Sequence, residues 1–131
     1  MGSFSDYLED KLLDHIVGKT AFTMPTVYVG VSTADPLDDG SGLAEPSGNN
    51  YARVATAGGD WNAASGGATS NANAITFPQA SGSWGTVSHF ALFDAAAAGN
   101  MLPHGSLYES KVVGNGDTLS FAAGDLYIAL A

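Results

Sequence analysis

The chain has 131 residues, four Lys+Arg against thirteen Asp+Glu, a formal net charge of −9 and no cysteine. That length suits one domain with a real core, and the missing cysteines exclude a disulfide framework and a thiolate zinc site. Only Lys11, Lys19, Arg53 and Lys111 could contact phosphates, too few for a nucleic-acid footprint or an anionic membrane surface.

No apolar run approaches the ~20 residues of a membrane-spanning helix, and acids stand where a secretion signal would carry bases. Hydrophobic residues make up 45% and charged ones 13%, which is not the composition of a disordered tail. The expected setting is a soluble domain made in a reducing compartment.

In chain order, the first expected element is a helix. Ser3 or Ser5 can cap it, and Asp6, Glu9 and Asp10 sit where the helix dipole favours negative charge. Leu8, Leu12, Leu13 and Ile16 form an apolar stripe, and Gly18 is the stop. A helix this short needs a packing partner, either its own domain or a neighbouring subunit. Residues 1–20 therefore read as a helical arm and 21–131 as one β domain.

After Pro25 the period changes to 2. Val27, Val29 and Val31 alternate with small or polar residues and predict a strand. Residues 34–50 form a long polar loop with Asp35, Asp38, Asp39 and Glu45. Further strands are expected at 51–57, 74–77 and 86–95. Apolar residues on both faces of the last mark it as central, with Val87, His89, Ala91 and Phe93 on one face and Ser88, Phe90 and Leu92 on the other. Residues 101–113 contain Pro103 and Gly105 and read as an edge or bulged strand. Two more strands carry Leu119 and Phe121, then Leu126, Ile128 and Leu130, with a turn at Asn115-Gly116-Asp117. One helix followed by six to eight short strands predicts a mainly β fold, an antiparallel β-sandwich or small barrel with one N-terminal α-helix.

The residues offer little for catalysis. The acidic loop could supply oxygens to Ca²⁺, but its spacing fails the EF-hand register, and solvated Asx turns explain the acids more simply. His15, His89 and His104 lack metal-pair spacing, and His89 reads as a core histidine bonded to a loop carbonyl. There is no nucleophile elbow, Walker A or dinucleotide loop. No cofactor and no catalytic residue is assigned. Trp61 and Trp84 form a candidate glycan platform, although Trp84 reads more simply as a cover for the core. The apolar helix stripe (Leu8, Leu12, Leu13, Ile16) is the candidate partner interface, and homo-oligomerisation is expected.

Five blocks have a further meaning: SDYLEDKLLDHIVGKTAF (Ser5–Phe22), TVYVGVSTADP (Thr26–Pro36), YARVATA from Tyr51, SNANAITFPQASGSWGTVSHFALFDAAAAGNML (Ser70–Leu102) and the closing GDTLSFAAGDLYIAL. Together they resemble a family of small tailed-bacteriophage virion proteins, labelled as tail-fibre proteins or as virion proteins. The central block is the most specific. Tyr127 and the Ala95–Ala98 run depart from the pattern without affecting the class. The resemblance implies a non-enzymatic structural protein of the virion, assembled in the host bacterial cytoplasm. Size and architecture suggest capsid decoration, a cement protein gripping the major capsid protein. The alternative is a tail-fibre or tail-tip protein that meets a host receptor or glycan.

Overall fold

The computed structural model describes residues 2–130. Its elements are β1 (Gly2–Phe4), α1 (Asp6–Ile16), β2 (Tyr28–Ser32), β3 (Val54–Ala55), β4 (Ala68–Ser70), β5 (Ile75–Thr76), β6 (Gly85–Phe93), β7 (Met101–Val113), β8 (Ser120–Phe121) and β9 (Tyr127–Ala129). One sheet has the order β3-β2-β6-β7-β1-β9-β4, and β5 pairs with β8 in a separate ribbon. Pairing is antiparallel except for the single parallel contact of β1 with β9. Among the described residues the end strands β3 and β4 do not meet, so the sheet is open. The fold is the mainly β, sandwich-like alternative, and the barrel is not formed.

The helix forms where its caps predict. Ser5 is the N-cap: its hydroxyl accepts from the Leu8 amide at 3.2 Å and donates to the Met101 carbonyl at 2.6 Å. One buried serine thus starts the helix and ties it to β7. At the other end Gly18 takes φ +80, while Gly18 N–H bonds the His15 carbonyl and Lys19 N–H the Asp14 carbonyl. This is a Schellman stop, and its left-handed residue is why glycine stands there.

No strand is expected ahead of this helix, yet β1 lies inside the sheet, with Phe4 opposite Pro103 of β7. Three residues are too few to show a period. The leading segment is therefore woven into the domain's own sheet before the helix begins.

β6 is central, between β2 and β7, as its two apolar faces require. One assignment of its faces changes: Val87 packs with Phe90 and Leu92 in the main core, not with Ala91 and Phe93. The change coincides with a break in register between Val87, opposite Lys111, and His89, opposite Ser106. β7 is bulged, as expected, but over Pro103–Gly105 it is interior and not an edge, since β1 flanks it there. Pro103 is tolerated because it falls in a second irregularity, where Leu102 and Pro103 together face Leu92.

The main core lies on one face of the sheet, beneath α1 and the β5–β8 ribbon. It joins Val29, Val31, Phe90 and Leu92 to Leu8, Phe77, Trp84 and Phe121. The opposite face carries a smaller cluster, Ala91, Phe93 and Met101, against which Tyr28 and Leu43 pack. Leu43 belongs to the 34–50 loop, so the loop is the lid of that second face. The strand expected over 51–57 shrinks to Val54–Ala55. Tyr51 and Arg53 instead send their side chains to Glu45 of the loop.

Candidate interaction surface

The helix stripe divides in two. Leu8 is 6% exposed and sits in the core, and Leu12 packs half-buried against it. Leu13 is 63% exposed and Ile16 77%. An 11-residue helix on a flat sheet can seat only one narrow line of side chains, so residues to the side of that line stay in water.

Beside the buried line lies a groove of about 380 Å³. Leu8 and Leu12 of the helix, Leu92 and Leu102 of the sheet, and Trp61 and Leu130 are among the residues that line it. Trp61 is half-buried, and its indole N–H donates to Thr56 Oγ1 at 3.0 Å, which fixes the ring. Apart from Thr69, the lining side chains are apolar, so the groove suits hydrocarbon and offers no nucleophile or base.

Trp84 lies elsewhere. It is 4% exposed, donates to the Asn49 carbonyl at 2.9 Å, and meets Tyr51 edge-on at 5.2 Å. Trp61 and Trp84 therefore form no common exposed face: one walls the groove, the other fills the core.

The second face is polar above its small cluster. Glu45 accepts from Arg53 at 2.6 and 3.0 Å and from the Tyr51 hydroxyl at 2.6 Å. Arg53 also donates to the Ala95 and Ala98 carbonyls, both at 2.8 Å, and its guanidinium stacks 3.5 Å above the Phe93 ring. Burial, then the bond to Glu45, pushes the Tyr51 phenol well above its ordinary range. The neutral hydroxyl is thereby kept as a donor to Glu45 and an acceptor for the Val31 amide. Residue identity alone does not signal this cluster, because the fold must bring Phe93, Ala95 and Ala98 to Glu45, Tyr51 and Arg53.

The acids of the loop have local partners. Asp35 accepts from Leu37 N–H and Asp39 from Ser41 N–H, which are Asx turns. Asp38 lies 2.8 Å from His104 Nε2. Among the described residues no three His, Asp or Glu side chains converge as a metal-holding group. Of the histidines it is His104, not His89, that is buried and bonded to a loop, and its partner is a carboxylate. His89 is half-buried, and its Nδ1 meets the neighbouring Ser88 hydroxyl, so the expected bond to a loop carbonyl is replaced by one to an adjacent side chain. His15 Nδ1 accepts from Phe22 N–H and pins the segment leaving the helix.

Three carboxyls are held below the usual carboxylate range, among them Asp94, where burial is outweighed by the bonds from Asn100. Asp39 is lowered by its bonds from Ser41, and Asp60 by the Ala57 amide and then by Asn73. Depressed folded-state values contribute stability above the unfolded value of about 3.9, lost as pH falls through the lower folded value. Asp39→Asn and Asp60→Asn are expected to flatten the acid limb of a melting-temperature profile below about pH 4. An unchanged acid limb in the double variant would contradict this.

A family model described as Podophage GP4 fiber I protein gp80 matches residues 3–129, virtually the whole described fold. Among curated proteins nothing matches.

Proposed function

The chain belongs to the podophage GP4 fiber I protein gp80 family, structural fibre-like components of tailed-phage virions, and from that premise we propose that it is built into the fibre and acts by packing, not by chemistry. The observation that carries this reading is the extent of the family match, which takes in both faces of the sheet and the helix. The family description turns the choice between shell and tail toward the tail-fibre alternative, and away from capsid cement. Its proposed partners are other virion proteins, tail proteins first and the major capsid protein second, with assembly in the host cytoplasm.

The structure supports a packing role in two ways. Every buried side-chain nitrogen and oxygen among the described residues has a hydrogen-bond partner, so no buried polar group stands poised without a task. The helix side offers an apolar groove with exposed apolar residues around it, a surface suited to a neighbour.

Particle stoichiometry and immunogold labelling test the proposal. A fibre subunit should label the tail and be present in roughly a dozen copies or fewer, following cyclic symmetry. Label over the whole shell, with copies in the hundreds, would return the protein to capsid decoration and refute the fibre assignment.

A further inference from the structure

We infer that the outer edge of β7 over Tyr108–Val112 pairs with the same edge of a second copy, antiparallel about a two-fold axis at Ser110. The first observation is that this stretch of strand is unflanked. The ladder with β1 ends at Gly105, and the ladder with β6 passes from Ser106 to Lys111. Among the described residues 107–110 therefore have no strand partner on either side. Unpaired strand backbone is a template for another strand. The stretch is nevertheless regular. Leu107 packs against the main core, Lys111 Nζ lies 5.8 Å from the centre of the Phe121 ring, and Val113 is buried. Tyr108 and Val112, by contrast, are 81% and 75% exposed. This alternation places Glu109 with Lys111 on the inner face, and Tyr108, Ser110 and Val112 on the outer one.

The second observation selects an identical chain as the occupant. An antiparallel pair centred on Ser110 sets Glu109 opposite the partner subunit's Lys111, and Lys111 opposite the partner subunit's Glu109. It also sets Tyr108 opposite Val112 twice. Opposite charges and aromatic with β-branched side chains are both favourable cross-strand pairs. Among the described residues neither Glu109 nor Lys111 forms an ion pair within its own chain, so both charges remain to be matched. Charges that keep an edge single repel their own kind; these two, in this order, attract theirs. Residues 106–113 hold one acid and one base, a net charge of zero in a chain of −9. Two acidic copies can thus meet along this edge without bringing like charges together. The contact is isologous: the same five residues give and receive.

This contact goes beyond the fibre assignment. A monomeric chain located in fibres would sink the contact alone, and an oligomer located on the shell would sink the fibre assignment alone. The test is sedimentation and light scattering of the full chain across a concentration series. The wild type should associate into dimers. Glu109→Lys and Lys111→Glu should each weaken association at least tenfold, because like charges then face each other twice across the axis. Both residues are exposed, so the melting temperature should change little. Mixing the two variants in equal amounts should restore dimers, since one copy then offers two positive charges and the other two negative. The chain has no cysteine, and Ser110 faces itself across the axis. Ser110→Cys should therefore form a covalent dimer on oxidation faster than Ala55→Cys, an exposed position on the end strand β3. A wild type that stays monomeric, single variants that associate like the wild type, a mixture no more associated than its components, or equal cross-linking at the two cysteine positions would each overturn the inference.

Discussion

Arg53→Ala is expected to destabilise the fold by about 3–5 kcal/mol, the cost of removing one partner from a buried ion pair. For a domain of this size that lowers the melting temperature by roughly 10–20 °C. The Arg53 side chain is 5% exposed and satisfies three groups at once: the Glu45 carboxylate and the carbonyls of Ala95 and Ala98. Its loss strands a carboxylate and two carbonyls over Phe93. Lysine should not rescue, since a point charge cannot span a fork that serves the carboxylate on one side and two carbonyls on the other. Glu45→Gln combined with Arg53→Met should recover part of the loss, because it removes both charges together. Thermal melts of the three variants decide it, and a loss below about 1 kcal/mol in Arg53→Ala would mean the clasp is idle. The clasp gathers the 34–50 loop, the 94–100 turn and β3 onto one sheet face. A polar connector becomes a fixed outer surface, as a subunit built into a larger structure requires.

The parts of this architecture that are legible in sequence are those with a local cause. The helix is announced by Ser5 and Gly18, and both serve as caps. The centrality of β6 is announced by apolar residues on alternate faces, and the bulge in β7 by Pro103. What is hidden has a non-local cause. β1 is a strand only because β7 and β9 flank it. Val87 changes phase at a break in register with β7. The groove brings Trp61, held by Thr56, together with Leu8 and Leu12 of α1, a juxtaposition made by the fold alone. The helix stripe is half legible: periodicity finds Leu8, Leu12, Leu13 and Ile16, but the angle at which the helix meets the sheet decides which of them are buried.

Trp84 poses the same question in its sharpest form, because a tryptophan between glycines admits a recognition platform beside the simpler reading as core. The two readings differ in free energy. An exposed platform can be truncated at little cost to stability, whereas Trp84→Ala here should cost about 3–5 kcal/mol, as large-to-small changes of a buried aromatic do. The side chain fills the corner between Tyr51, Phe77 and β6, and its N–H closes the Asn49 carbonyl. Trp84→Phe should retain most of the packing and lose about 1 kcal/mol for the unmade hydrogen bond. Trp61→Ala supplies the contrast: half-buried, it should cost less stability than Trp84→Ala. Urea melts of the three variants give the readout. If Trp84→Ala melts like the wild type, the ring is not part of the core and the packing around Tyr51 must be redrawn.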